Sequence, residues 1–98
     1  MILVRDIFSL RFGSMREALA LWKEGQALMK ASGHVPSRLL TDLTGEYYTL
    51  VLESEFASLS EYEKGHGSAA MTDEFRAWYQ KFSALVVSGK REMFSIVK

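Results

Sequence analysis

Apolar residues in this chain recur with two different periods, and the order in which those periods alternate restricts the fold more than any other feature. From Ile2 to Phe12 the period is two. Ile2, Val4, Asp6, Phe8, Leu10 and Phe12 make one side, and Leu3, Arg5, Ile7, Ser9 and Arg11 the other. That alternation predicts a strand, stopped by Gly13. Ser14 to Glu17 then reads Ser-Met-Arg-Glu, the pattern of a helix-opening capping box. The stripe that follows has helical spacing: Met15, Ala18, Leu19, Trp22, Gln26 and Met29. Gly33 suits the left-handed position after the last turn. Leu21 and Leu28 lie one heptad apart off this stripe and predict a second buried contact.

His34 to Ser37 is a linker that holds the single proline, Pro36. Arg38 to Leu43 reads as a short strand, Thr44 and Gly45 as a turn, and Tyr47 to Phe56 as a long strand. Tyr48, Leu50, Leu52, Ser54 and Phe56 share one face of it; Tyr47, Thr49, Val51, Glu53 and Glu55 share the other. A turn this short predicts a hairpin. Ser58 to Glu61 repeats the capping box and opens a helix of about two turns through Lys64. Residues 65–71 are the most flexible stretch by composition. Thr72 caps a further helix, with Asp73 and Glu74 at its positive end. Its stripe is Phe75, Trp78, Tyr79, Phe82, Leu85 and Val86, and Gly89 ends it. Arg91 to Val97 is a last strand, with Phe94 and Ile96 opposite Met93, Ser95 and Val97. The order β-α-β-β-α-β, with its second helical region broken in two, predicts one ferredoxin-like α+β domain over residues 1–98. Its sheet has four antiparallel strands.

The chain carries 12 Lys plus Arg against 12 Asp plus Glu. No basic excess exists to neutralise phosphates, which disfavours nucleic acid as a partner. The 48% hydrophobic content excludes disorder. The absence of cysteine excludes disulfides and thiol chemistry. No apolar run spans a membrane and no leader peptide is recognisable, so a cytoplasmic protein with no membrane partner is expected. Helices cover one face of a four-stranded sheet. The other face still carries Leu3, Ile7, Val51, Met93 and Val97, more apolar surface than a wetted face needs. Two copies packed face to face about a two-fold axis would cover it, and a homodimer through the sheet is expected. Arg5 and Glu53 fall on this face, on neighbouring strands, and are expected to pair.

Candidate chemistry is sparse. Asp6 interrupts an apolar face. It is either an ordinary paired carboxylate near a pocket mouth or, if unpartnered, a general base. His66, in the glycine-containing segment, is a second candidate proton carrier. His34 lies in a different loop, and neither histidine has a carboxylate at ligand spacing, so no metal site is expected. Ser68 stands beside His66 without a nucleophile elbow, which speaks against a hydrolase. Trp22, Trp78, Tyr79, Phe75 and Phe82 gather on helix faces turned to the sheet. They form either a core or the wall of an apolar cavity, to which Tyr48 or Asp6 could add a polar contact.

The stretch from Gly13 to Gly25 resembles the first helix of NIPSNAP-like proteins. Thr44 to Leu52 resembles their central hairpin, Ser58 to Glu63 the short helix after it, and Asp73 to Tyr79 with Gly89 to Glu92 the closing helix and strand. The resemblance covers nearly the whole chain. It implies the dimeric α+β barrel fold, shared with antibiotic-biosynthesis monooxygenases and haem-degrading monooxygenases. The family's first strand often carries an arginine and, two residues on, a tyrosine, where this chain has Asp6 and Phe8. The asparagine, tryptophan and histidine of haem-degrading relatives fall on Asp6, Tyr62 and Tyr79, which disfavours haem chemistry. No cofactor is expected. The leading expectation is a protein that binds a small apolar or aromatic molecule in a pocket lined by Trp22, Tyr48, Trp78, Tyr79 and Phe82. A cofactor-independent monooxygenase or isomerase using Asp6 or His66, and a purely structural dimer module, are the alternatives.

Overall fold

Strand β1 (Ile2–Leu10) is central, and both neighbours pair with it antiparallel: β3 (Thr49–Phe56) on one side and β4 (Val86–Ser95) on the other. The short β2 (Arg38–Thr41) closes the far edge, giving the order β2-β3-β1-β4. Helices α1 (Met15–Ala31), α2 (Leu59–Ala69) and α3 (Asp73–Ser83) complete an α+β, ferredoxin-like fold. The computed structural model describes residues 1–31, 38–69 and 72–98; the side chains of 30, 31 and 65–69 lie outside the described residues. No described helix is long and apolar enough to cross a membrane.

The core lies between the helices and the even-numbered residues of β1 and β3. Leu10, Leu50 and Leu52 from the strands meet Ala18, Trp22 and Met29 of α1 and Trp78 and Phe82 of α3. Each buried large side chain contributes roughly 1.5–3 kcal/mol of transfer free energy. Among the described residues Leu21 and Leu28 make no separate second contact: both are half-buried and pack against this same core. There α3 lies close on α1. The Trp78 indole occupies the space over Gly25, where an added Cβ would fall 2.5 Å from the ring. Trp78 Nε1 donates to the Leu21 carbonyl at 2.5 Å.

Several boundaries differ from the sequence reading. Helix α3 stops at Ser83, and β4 starts at Val86, five residues before the expected strand. Just past the stop, the Arg11 backbone N–H donates to the Leu85 carbonyl and its Nε to the carbonyl of the cap residue Ala84, both at 2.9 Å. Gly89 is therefore no helix terminator. It pairs with Phe8 across the sheet, and a Cβ there would meet the Phe8 ring at 3.1 Å. Helix α2 continues through Gly65 and Gly67 to Ala69, past the expected end at Lys64; propensity is a weak guide against tertiary context. Tyr48 adopts φ +59°, a left-handed conformation costly for a bulky residue, so β3 begins only at Thr49. Two caps form on the N-terminal side as read: the Thr72 hydroxyl accepts from Phe75 N at 3.1 Å, and the Ser58 hydroxyl from Glu61 N at 3.3 Å; at Ser14 the bond is from Ala18 N to the backbone carbonyl.

The face away from the helices carries a row of charges in register across all four strands: Arg38, Glu53, Arg5, Glu92. Arg5 Nε lies 3.1 Å from Glu53, the expected pair, and 3.7 Å separates Arg5 Nη1 from Glu92. Arg38 hydrogen-bonds the other Glu53 oxygen. Glu53 is 5% exposed. Leu40, Val51 and Ile7 flank the row on one side, Leu3 and Phe94 on the other. Met93, assigned to this face from the sequence, instead stands opposite Val4 on the helix side, and Phe94 opposite Leu3 takes its place. Val97 lies beyond the end of β4.

Candidate functional site

On the helix side of the sheet the strands carry apolar or small residues except at one place, where Asp6 of β1 stands directly opposite Arg91 of β4. The Arg91 Nε donates to Asp6 Oδ1 at 2.5 Å. Its Nη1 donates to the Tyr62 hydroxyl of α2 at 2.6 Å, and the guanidinium carbon lies 5.7 Å from the centre of the Tyr62 ring. Tyr62 is in turn fixed edge-on against Phe56, 5.3 Å between centroids. One strand pair and one helix thus hold a cation, an anion and a phenol together.

The electrostatics follow from that geometry. Burial pushes the Tyr62 hydroxyl above its ordinary value of 10.0; nearby Arg91 opposes this and Asp6 adds to it. Tyr62 therefore remains a neutral phenol through the physiological range. Burial works against the Arg91 charge, but the hydrogen bond and charge of Asp6 outweigh it, helped by Tyr62 and Tyr79, so the guanidinium is held more firmly protonated than usual.

The other predicted site residues do not converge here. Trp22, Trp78 and Phe82 interlock: Trp78 and Phe82 stack at 5.6 Å, and Trp22 stands across both at 4.7 and 5.4 Å. These rings fill the layer between α1, α3 and the sheet. The Trp22 indole N–H is buried there without an acceptor, whereas that of Trp78 has the Leu21 carbonyl. Tyr79 is half-exposed and stacks on Phe75 at 6.2 Å. Tyr48 sits at the hairpin end, against Phe12 at 5.1 Å and four residues along the sheet from the Asp6 row, ~13 Å away. The side chain of His66, and His34 altogether, lie outside the described residues.

Sequence reasoning missed Arg91. Reading β4 with Met93 on the outer face put Arg91 there as well. The available signal was Asp6 itself: a carboxylate on an apolar face needs a cation, and only a strand beside β1 can supply one. Asp6, Tyr62 and Tyr79 were grouped only by the family resemblance, and the structure sets the first two directly on Arg91. Among the described residues two grooves open elsewhere, on the outer face of the sheet beside Glu46 and Thr49. One, of about 290 Å³, runs along Leu40 and Val51; the other, of about 220 Å³, along Ile7, Ser88 and Lys90.

No family model matches the chain, and no curated protein does. Solved structures do. A NIPSNAP family protein from Agrobacterium tumefaciens superposes with a TM-score of 0.90 at 22% identity, over 98% of this chain and 92% of that one. A NIPSNAP domain protein from Burkholderia xenovorans gives 0.91 at 11% identity, over 99% and 95%. A cofactor-independent oxygenase from Streptomyces nogalater gives 0.69 at 14%, over 99% and 93%. The chain thus has the α+β fold of the NIPSNAP proteins and, more distantly, of the antibiotic-biosynthesis monooxygenases, as its sequence resemblance implied.

Proposed function

We propose that this chain is a small-molecule-binding protein of the dimeric α+β barrel type. It takes a small apolar or aromatic molecule between its helices and its sheet, where Arg91 and Tyr62 read an oxygen of that molecule. The observation that carries this reading is the Asp6–Arg91–Tyr62 network. The Arg91 and Asp6 side chains are 41% and 24% exposed, at the open edge of an otherwise apolar layer, and a few convergent polar groups in such a place are what a ligand site requires.

The network favours binding over proton abstraction. Asp6 serves as the counter-ion that fixes Arg91, with Oδ1 engaged by the guanidinium. Under the oxygenase or isomerase reading Asp6 would face the substrate as a base. The interlocked Trp22, Trp78 and Phe82 support a structural module at the α1–α3 end of the layer, so the binding reading rests on the Arg91 end alone.

The homodimer belongs to the same reading. The outer sheet face pairs its own charges in one row and flanks them with Leu3, Ile7, Leu40, Val51 and Phe94, apolar side chains that a second copy would cover; Glu55 and Lys90 lie on the same face.

Thermal denaturation across a panel of phenol, acetophenone, benzoate and 2-naphthol tests the binding reading. At least one compound should raise the midpoint in a saturable way. Arg91→Gln should weaken that compound about tenfold, the worth of a hydrogen bond to a charged group. No stabilisation by any member, or undiminished affinity in Arg91→Gln, rejects the reading.

A further inference from the structure

We infer that Asp6 is a specificity-determining residue that sets the site beside Arg91 to accept a neutral oxygen, such as that of a ketone or phenol, and to reject a carboxylate. The inference rests on the binding reading above and narrows it to a ligand class.

A guanidinium alone is a carboxylate receptor, because its planar fork matches two carboxylate oxygens. Here two of its five N–H groups are engaged: Asp6 takes Nε, and the Tyr62 hydroxyl takes one hydrogen of Nη1. The first of these partners is itself a carboxylate, which already occupies one side of the fork. The charge is also matched. In the register of the four strands, Asp6 and Arg91 are the one anion and the one cation on the helix side of the sheet, among the described residues. The remaining charges of the paired rows, Arg5, Arg38, Glu53, Glu55, Lys90 and Glu92, fall on the outer face. The strand charges on the helix side are therefore matched. An incoming carboxylate would sit beside Asp6 and find no uncompensated cation among them. A neutral carbonyl loses little water and gains a charge-assisted hydrogen bond. Tyr62 agrees with this, since burial keeps it a neutral phenol that adds no anion of its own.

Acetophenone and benzoate form the test pair, because they share a ring and a planar head group and differ in charge. Each is titrated calorimetrically into the intact protein and into Asp6→Asn. Wild type should bind acetophenone at least about tenfold more tightly than benzoate. Asp6→Asn removes the counter-ion charge while its amide oxygen still accepts from Nε, so it should reverse the order, with benzoate gaining about tenfold or more. Asp6→Asn/Arg91→Gln removes both charges and should show no gain for benzoate, which separates loss of the counter-ion from a general loosening of the site. Equal or stronger benzoate binding in wild type overturns the inference and leaves the binding reading standing. An unchanged preference in Asp6→Asn does the same. Failure of wild type to bind either compound overturns the inference, and the binding reading falls with it only if phenol and 2-naphthol also fail to bind. The wild-type comparison decides even where a variant does not fold.

Discussion

Gly25 lies at the closest approach of α1 and α3. The Trp78 ring fills the place of a side chain there and is held by its bond to the Leu21 carbonyl. Alanine would gain up to ~1 kcal/mol of helix propensity over glycine. Overpacking against a fixed ring costs typically 1–3 kcal/mol. The clash should win, and Gly25→Ala should lose about 1–2 kcal/mol in denaturant unfolding; an equal or more stable variant would show that the indole can yield. This contact was invisible in the sequence, where Gly25 is one small residue inside a helical stripe. Arg91 was hidden for a related reason. The face a strand residue occupies depends on register, and one residue of error moves it to the other side. Asp6, by contrast, was legible as an anomaly, because a lone carboxylate on an apolar face demands an explanation.

At the scale of elements, period-two and helical patterning located every strand and helix, and the errors gather at their ends. The stripe Phe75 to Val86 keeps helical spacing past the true end of α3, because Leu85 and Val86 pack on the same core from non-helical positions. The carbonyl of the cap residue is bonded by Arg11, 73 residues away in sequence, and no local pattern reports such a contact. The charge row on the outer face is the element-scale feature with the clearest energetic consequence. Glu53 holds two arginines while nearly buried. Removing one member of a buried ion pair costs about 3–5 kcal/mol. Arg38 is 65% exposed and regains water easily, which lowers the figure. Glu53→Ala should therefore cost about 2 kcal/mol in chemical denaturation. A loss below about 0.5 kcal/mol would mean that the row is only a surface arrangement.

The whole molecule is a slab of 36 × 34 × 18 Å, two layers thick. Its radius of gyration is 13.6 Å, against about 12.6 Å for a compact chain of this length. Its exposed surface is 6635 Å², against roughly 5,700 Å² for a typical monomer of this mass. Both differences suit a chain built to cover one face with a partner. Sedimentation should give twice the 11.1 kDa chain mass. Phe94 is 47% exposed on that face, so Phe94→Asp should produce a folded monomer. A monomeric wild type, or an intact Phe94→Asp dimer, rejects the sheet-to-sheet arrangement. The proposed binding site lies on the opposite side of the same sheet, and its occupancy is the central claim. The most direct measurement follows the Arg91 Nε–H signal by ¹⁵N–¹H spectroscopy while acetophenone is added to the wild-type protein. The account predicts a saturable shift at Arg91, with Arg5 and Arg38 on the outer face unmoved. No saturable shift at Arg91, or shifts confined to the outer face, would contradict it.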